Sequence, residues 1–154
     1  MDSYAHERQF WNDWVKISEN YIRQRFNYVV DENFVPLGHP WLDSFKYMFD
    51  LVGDVAGKDV LDCGAGTGWS SIIFARKKAK KVIAIDVSDD MLALLRRLAK
   101  INGVESVIQT QRTAIEDAVF EQQSFDVIFC SDILHHADLQ EAMVRIHKFG
   151  LVGI

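Results

Sequence analysis

The chain divides into two parts that differ in how their hydrophobic residues are spaced. Near the amino terminus these residues recur at intervals of four, three and four, which places them on one face of a helix. The residues on that face are Phe10, Trp14, Ile17 and Tyr21, widened by Trp11, Ile22 and Phe26. This pattern predicts a first amphipathic helix.

A second helical pattern follows a segment in which Pro36, Gly38 and Pro40 interrupt any helix. Gly53 and Gly57 signal its end. Its hydrophobic residues again share one side, and they are Trp41, Leu42, Phe45, Phe49 and Val52. We therefore expect residues 1–56 to form a helical cap at the start of a single domain.

From residue 57 onward, short apolar runs alternate with helical patterns. The predicted strands are 59–63, 81–86, a weaker 106–111 and 125–130, and the predicted helices are 69–78, the stretch between Ser88 and Asn102, and 138–148. Such alternation favours a parallel sheet with helices on both faces. Residues 57–154 are thus predicted to form a Rossmann-like α/β core with a doubly wound, mostly parallel sheet.

Composition narrows the class of protein. Hydrophobic residues make up 49% of the 154 residues and charged residues 25%, as in ordinary soluble globular proteins. The net charge of -5 argues against a nucleic-acid partner. We interpret the basic run over residues 77–81 as a solvated helix end.

The cysteine count, the first residues and the apolar runs indicate the cellular compartment in which the protein is expected. Cys63 and Cys130 are the two cysteines, and they make neither a disulfide framework nor a metal site. The first residues lack the pattern of a secretory signal, and no uncharged run is long enough to cross a bilayer. We expect a cytoplasmic protein with no metal and no membrane partner.

A glycine-rich loop at residues 64–68 is the strongest chemical signal. The first strand runs into this loop and then into a helix, so backbone N–H groups lie at a helix N-terminus and a ligand can approach the main chain closely. Asp86 lies eighteen residues beyond Gly68, at the carboxyl end of the next predicted strand. A carboxylate there can accept both hydroxyls of an adenosine ribose.

Spacing separates two cofactor classes that share this layout. The dinucleotide pattern G-x-G-x-x-G would need a glycine at position 69, which is Trp69, whereas this chain has G-x-G-x-G. A sulfonium nucleoside has no phosphates and benefits from negative or aromatic surroundings. Asp62, just before the loop, supplies a carboxylate. The spacing favours a sulfonium cofactor over a nicotinamide dinucleotide.

The segment Val60-Leu-Asp-Cys-Gly-Ala-Gly-Thr-Gly68 resembles the first motif of class I S-adenosylmethionine-dependent methyltransferases. Residues 84–88 resemble their second motif, whose acid binds the ribose. Residues 124–130 and 134–136 resemble the fourth-strand region of the ubiquinone- and menaquinone-biosynthesis branch, which acts on small molecules. The resemblance covers about residues 55–154. It implies methyl transfer from S-adenosyl-L-methionine to a small-molecule acceptor, with S-adenosyl-L-homocysteine as product.

The resemblance also implies which residues bind the cofactor. The loop and the acid before it would contact the methionine part, the acid after the second strand the ribose, and the residues that follow it the adenine. The implied set is Asp62, Gly64, Ala65, Gly66, Thr67, Gly68, Asp86, Val87, Met91, Thr113, Ala114, Ile115, Cys130 and Ser131.

One position departs from the family's pattern. The family often has an acidic residue just after the third strand, bonded to the adenine amino group. Here Thr113 or Ala114 stands at that place, although Glu116 and Asp117 are near. We expect backbone groups and Thr113 to serve instead, with Ala114 and Ile115 flanking the ring.

Candidate catalytic residues are few, because methyl transfer from a sulfonium needs little beyond proximity and orientation. A base is needed where the acceptor must lose a proton. His135 and His136 follow the fourth strand, at the edge where ligands bind in open α/β folds. His135 is the candidate base, and the alternative is a histidine hydrogen-bonded at a helix entry. Adjacent histidines are poor metal ligands without a third group.

Two further groups of residues have a structural and a functional interpretation. The aromatic residues Trp11, Trp14, Tyr21 and Tyr28 either belong to the core or form a lid over the cofactor and the acceptor pocket. We expect the two cysteines to lie on neighbouring strands and to serve packing, since nothing nearby resembles a nucleophile's base.

The carboxyl-terminal residues 151–154 resemble the start of a fifth strand that is cut short, so the sheet is expected to be incomplete there. An open apolar edge on the fourth strand is a pairing hazard, and we expect a homo-oligomer in which a second copy covers it.

Two alternatives to a methyltransferase stay open. One is a non-catalytic S-adenosylmethionine-binding or interaction protein, and the other, less favoured, is an NAD-dependent oxidoreductase.

Overall fold

The computed structural model describes residues 4–26, 28–30 and 42–150, except for the side chains of residues 25, 26 and 42–46. Its elements, in chain order, are α1 Ala5–Phe26, α2 Leu42–Val52, β1 Asp59–Cys63, α3 Trp69–Arg76, β2 Lys81–Asp86, α4 Asp89–Ile101, β3 Ile108–Arg112, β4 Val127–Cys130 and α5 Leu139–Phe149. The predicted break at Pro36, Gly38 and Pro40, and the predicted helix residue Trp41, lie outside the described residues.

Four parallel strands form one sheet in the order β3-β2-β1-β4. Leu61 on β1 pairs with Ile83 on β2 and with Ile128 on β4, which sets the register across the centre. The strand order reverses beside β1, because the chain moves outward through β2 and β3 and then returns to the other side of β1. Ligands bind at the carboxyl ends of the strands beside such a reversal.

Side chains alternate between two hydrophobic clusters, one on each face of the sheet. Val60, Val82 and Phe129 belong to the cluster that also contains the buried faces of α3 and α4. Leu61 and Ile128 belong to the second cluster, which includes the inward residues of α5. Both faces are therefore covered, which confirms the prediction of a doubly wound parallel sheet.

The face of α1 that packs inward differs from the predicted one. Phe10, Trp14, Ile17 and Tyr21 are all exposed by more than 40%, so these four residues of the predicted stripe do not pack into the core. Instead, Ile22 is buried and Val15 packs against the core cluster. Two polar contacts to α4 set this rotation: Ser88 Oγ donates to Asn12 Oδ1 at 2.5 Å, and Arg97 pairs with Glu19 at 2.5 Å.

Several element boundaries differ by a few residues from the predicted ones. The helix predicted over 69–78 ends at Arg76, because Lys78 adopts a left-handed φ of 65°. The strand predicted over 106–111 lies at Ile108–Arg112, and the one predicted over 125–130 begins at Val127. The boundaries of β1 and β2 are as predicted.

The chain that leaves α5 returns beside the start of β4. Gly150 forms an isolated parallel bridge with Phe125, whose N–H donates to the carbonyl of Phe149 at 3.1 Å. This contact is where a fifth parallel strand would begin, while residues 151–154 lie outside the described residues. Among the described helices, none has the length and apolar character needed to span a bilayer.

Candidate active site

A cavity of about 500 Å³ lies at the carboxyl ends of the strands. Its walls come from the loops after β1, β2, β3 and β4 and from one face of α1. The strand ends thus converge on one space, as the position of the topological reversal requires. The amino-terminal helix contributes the remaining wall, and Trp11 and Trp14 lie in it.

The glycine loop is held to the sheet by its own backbone. The N–H groups of Gly64 and Ala65 both donate to the carbonyl of Ile85, at 2.9 and 3.0 Å, and Gly68 N–H donates to the carbonyl of Ala65 at 2.8 Å. Gly66 adopts a left-handed φ of 52°, as Gly64 and Gly68 do at 68° and 86°. Side chains other than glycine rarely adopt this conformation.

The three glycines have different neighbours. A Cβ added at Gly64 would lie 2.8 Å from Ile133, and one at Gly68 would collide with Leu95. Beside Gly66, by contrast, the nearest such atom is the carbonyl oxygen of Gly64 at 4.0 Å. Packing therefore requires the outer two glycines, whereas the middle one leaves open space next to the main chain, where a ligand can approach.

Asp86 lies at the end of β2 and lines the cavity. Its two carboxylate oxygens each accept one backbone N–H, from Gly66 at 2.9 Å and from Ser88 at 2.8 Å. Burial raises the pKa of the Asp86 carboxyl, and these amides partly counteract the shift. Further hydrogen-bond donors from a ligand would replace the water that burial removes from this carboxylate.

Asp62, near the end of β1, accepts hydrogen bonds from two serines of α3. It is buried, with 1% exposure, and does not line the cavity. Its Oδ2 accepts the hydroxyls of Ser70 at 2.6 Å and Ser71 at 2.5 Å. Burial raises the pKa of Asp62 to about 6, against the opposing effect of the two serine hydrogen bonds. Ser70 does line the cavity, so Asp62 contributes to the cavity wall indirectly, by orienting the Ser70 hydroxyl.

The charges in the cavity wall are of one sign. Glu7, Asp86, Glu116 and Asp132 line it, and among the described lining residues there is no lysine or arginine. Seven aromatic side chains contribute as well, and they are Tyr4, Trp11, Trp14, Tyr21, Phe49, Trp69 and Phe129. Carboxylates and aromatic faces both stabilise a cation and disfavour an anion.

Polar contacts tie α1 to the loops after β3 and β4. The hydroxyl of Tyr4 donates to Glu116 Oε1 at 2.5 Å, and the same oxygen accepts the backbone N–H of Asp138 at 2.6 Å. Burial and the neighbouring Glu116 raise the pKa of Tyr4 above its usual range. Close by, His136 Nδ1 lies 3.3 Å from Glu7 Oε1, and both residues line the cavity.

Most of the residues implied by the resemblance come together here. Eleven of the fourteen line the cavity: Gly64, Ala65, Gly66, Thr67, Asp86, Val87, Met91, Thr113, Ala114, Ile115 and Ser131. Asp62, Gly68 and Cys130 do not, and neither does the candidate base His135, which is exposed. Their binding and catalytic roles stay predictions.

The two cysteines lie directly opposite each other on β1 and β4. A hydrogen bond with Cys130 and burial raise the pKa of the Cys63 thiol well above its ordinary value. A thiol that stays protonated is a poor nucleophile. Their position on neighbouring strands is as predicted and agrees with a packing role.

Several lining residues escaped the sequence analysis. Ser70, Glu7 and Tyr4 belong to no motif. Tyr4 and Glu7 contact residues far along the chain, whereas Ser70 contacts Asp62 eight residues before it. His136 was one of two adjacent histidines, and the residue spacing could not choose between them. Helical spacing offers a partial signal for α1, because residues 4, 7, 11, 14, 18 and 21 lie on one side of a helix.

These observations define a Rossmann-like α/β protein with an anionic, aromatic cavity at the carboxyl ends of its strands. Comparison with known families assigns it further: residues 60–149 match the model of a methyltransferase domain family. This match covers more than half of the chain. The chain belongs to that methyltransferase domain family.

Individual relatives agree with this assignment. A ubiquinone biosynthesis O-methyltransferase from Hahella chejuensis is 34% identical over 139 residues, which cover 77% of this chain and 56% of that protein. A solved structure from Listeria monocytogenes, provisionally described as an S-adenosylmethionine-dependent methyltransferase, is 30% identical with a TM-score of 0.63, covering 71% of this chain and 48% of that one. The chain thus spans about half the length of these relatives.

The fold itself is matched over a longer part of the chain. A structure from Methanococcus maripaludis has a TM-score of 0.71 and covers 92% of this chain and 60% of that one, at 17% identity. At this identity the likeness concerns the fold alone. It confirms the Rossmann-like architecture predicted from the alternation of strands and helices.

Proposed function

We propose that this chain binds S-adenosyl-L-methionine in the cavity and takes part in methyl transfer to a small-molecule acceptor, with S-adenosyl-L-homocysteine as the product. One observation carries the proposal: four carboxylates and seven aromatic side chains surround the glycine loop, without a lysine or arginine among the described lining residues. This lining suits a sulfonium cation. It opposes the pyrophosphate of a nicotinamide dinucleotide, whose two negative charges would face the carboxylates.

The residues present fit the parts of this cofactor. Asp86 would accept the ribose hydroxyls, because its carboxylate is largely withdrawn from water and lines the cavity. The open space beside Gly66 admits the methionine part close to the main chain. Val87, Met91 and Ile115 offer apolar surface for the adenine. Thr113 stands where a carboxylate is common, and its own amide is engaged with the carbonyl of Asp86 at 3.0 Å.

When bound, the cofactor supplies an activated methyl group on a positively charged sulfur. The chain's part is to hold donor and acceptor in line, and such positioning accounts for about 7–11 kcal/mol of barrier in favourable cases. Ser70, oriented by the buried Asp62, presents a hydroxyl to the cavity next to the loop. We assign to it a hydrogen bond to the methionine part of the cofactor.

Three further features belong to this proposal. They are a single domain with its helical cap, a cytoplasmic location, and assembly of two or more copies through the edge of β4. The single bridge between Phe125 and Gly150 supports the last of these, because it leaves most of β4 without a described partner on that side.

Calorimetric titration with S-adenosylhomocysteine, and separately with NAD, tests the proposal. We expect saturable binding of the first and none of the second. Asp86→Ala should weaken binding at least ~100-fold, because two charged hydrogen bonds worth about 1.5–3 kcal/mol each are lost. Asp90→Ala removes an exposed carboxylate from the first turn of α4 and should leave binding unchanged.

The effect of Asp86→Ala on binding is interpreted against Asp90→Ala, and only if the Asp86→Ala chain is folded. Circular dichroism checks whether Asp86→Ala retains the native structure, since this change also removes the acceptor of two loop amides. Equal binding by the wild type and a folded Asp86→Ala chain would overturn the site assignment. Binding of NAD in place of S-adenosylhomocysteine would overturn the cofactor.

A further inference from the structure

We propose that Glu7 and His136 form a proton-accepting pair for a hydroxyl group of the methyl acceptor. This inference rests on the proposed methyl transfer and specifies its acceptor side. It moves the predicted base from His135 to the adjacent residue, and it adds a carboxylate from α1 that the sequence did not single out.

The two side chains meet at the cavity wall although 129 positions separate them in the chain. His136 Nδ1 lies 3.3 Å from Glu7 Oε1, with 30% and 32% of the two side chains exposed. Both line the cavity, whereas His135 does not. A half-buried imidazole beside a carboxylate, at the end of the sheet where ligands bind, is the arrangement that general bases require.

The carboxylate determines which imidazole nitrogen can act. A proton on Nδ1 faces Glu7, and the neutral ring then carries its free lone pair on Nε2. If Nε2 takes up a further proton, the resulting imidazolium lies beside a negative charge that stabilises it. Glu7 therefore acts as a positioning residue, and His136 is the group that would touch the acceptor.

Other contacts hold the pair in place. Tyr4 is one helical turn before Glu7, and its hydroxyl donates to Glu116, which also accepts the amide of Asp138 in the loop that follows β4. The His136 amide donates to the carbonyl of Ile133 at 2.9 Å. The ring of Trp11 stands edge-on to the imidazole, with centroids 6.2 Å apart. Both ends of the pair are thus fixed by separate anchors.

The other titratable groups near His136 either face solvent or already accept hydrogen bonds. The His135 ring lies 3.9 Å from that of His136 but faces solvent. Glu116 Oε1 already accepts two hydrogen bonds. Asp132 lines the cavity but is exposed and adopts a left-handed φ of 54°. His136 is therefore the imidazole that combines a cavity position with an orienting partner.

The proposed step conserves both protons and charge. The acceptor O–H proton passes to His136 Nε2 while the oxygen's electron pair forms the new bond to the methyl carbon and sulfur keeps the electrons of the broken carbon–sulfur bond. The positive charge lost at sulfur thus reappears on the imidazolium beside Glu7.

The first test reads the histidine tautomer in the free chain, by nitrogen chemical shifts of the imidazole at alkaline pH. We expect the Nδ1–H form at His136 and its loss in Glu7→Ala, with His147→Gln as a control at an exposed position of α5. An Nε2–H tautomer in the wild type, or no change in Glu7→Ala, would overturn the pair. This readout needs neither cofactor nor turnover, so it is separate from a failure of the proposed function.

The second test uses 4-nitrophenol as a chromophoric hydroxyl probe, titrated with and without S-adenosylhomocysteine. The wild-type chain should bind it and, by proton transfer to His136, hold more of it in the ionised, longer-wavelength form than a chain without the pair does. In His136→Gln and Glu7→Ala, the apparent pKa of the bound probe should rise by about one unit. His147→Gln should behave as wild type.

The outcomes separate the two proposals. Absence of S-adenosylhomocysteine binding contradicts the proposed function, whatever the probe shows. Intact S-adenosylhomocysteine binding with no binding of nitrophenol, with unshifted spectra in His136→Gln, or with the loss appearing in His135→Gln instead, contradicts the assignment of His136.

Discussion

The two walls of the cavity are built in different ways. The wall around the glycine loop comes from residues 64–91 and 113–115, and backbone hydrogen bonds to strand ends hold it. The wall formed by α1 and the loop after β4 depends on half-buried side-chain pairs such as Tyr4–Glu116 and Glu7–His136, whose members are more than 100 residues apart. Backbone hydrogen bonds to a buried sheet hold the first wall and side-chain contacts hold the second, so we expect the second wall to open at a lower free energy.

This difference bears on function. A cofactor common to a whole family needs a wall whose shape does not depend on surface residues. An acceptor that varies between relatives needs a wall that can change without loss of the core. The predictions below test whether disturbance of one wall leaves the other intact.

The largest effect is expected from Gly68→Ala. The added Cβ collides with Leu95 and forces alanine to a φ of 86°, so we expect the free energy of unfolding to fall by about 3 kcal/mol or more. Urea unfolding measures it. Gly103→Ala is the matched control, since its φ of 67° is similar but nothing lies within 4 Å of the added carbon. It should cost about 1–2 kcal/mol, and equal losses in the two variants would contradict the role of the Leu95 contact.

The pH dependence of stability should report on Asp62. Its pKa is about 6 in the folded chain against 3.8 for an unperturbed carboxyl, so the folded state binds more protons than the unfolded state between these values. The free energy of unfolding therefore falls as pH rises through this window, by about 3 kcal/mol at most.

Asp62→Asn should flatten this slope in urea unfolding measured at a series of pH values. The raised pKa of Asp86 has the same sign and leaves a residual slope in the variant. Asp90→Asn, at an exposed position, should retain the full dependence. If stability instead rises across this window in the wild type, the buried carboxyl does not dominate it.

The smallest effect is expected at the contact between α1 and α4. Asn12→Ala removes the acceptor of the Ser88 hydroxyl, and we expect a loss of about 0.5–1.5 kcal/mol. Hydrogen exchange should speed up in α1 while β1 and β2 keep their protection. Asn20→Ala is the control, because Asn20 accepts hydrogen bonds from Arg23 and Gln24 within the same helix. Faster exchange in β1 as well would show that the two walls open together.

The sequence predicted strand boundaries correctly where the hydrophobic pattern along the chain matches the burial seen in the structure. The strands at 59–63 and 81–86 have the predicted boundaries, because continuous apolar runs followed by a glycine loop or by Asp86 allow few alternatives. β3 was displaced by about two residues. Only one of its residues, Ile108, is buried, so its pattern is weak.

The cavity was partly predictable for the same reason. The glycine loop, Asp86 and the residues after them lie close together in the chain, and the sequence motifs contain them. The contact of Asp62 with the cofactor stays a prediction. The motif does not specify that this carboxylate accepts the hydroxyls of Ser70 and Ser71, which the structure shows. The choice between His135 and His136 depends on where the loop after β4 turns.

The sequence alone determined the alternation of strands and helices, the sulfonium-type glycine spacing and the position of Asp86, since each follows from periodicity or from neighbours in the chain. The tertiary structure decided which face of α1 packs inward, that Gly66 rather than Gly64 or Gly68 leaves open space, and that Glu7 meets His136. These outcomes depend on contacts between residues far apart in the chain, and a local pattern does not encode such contacts.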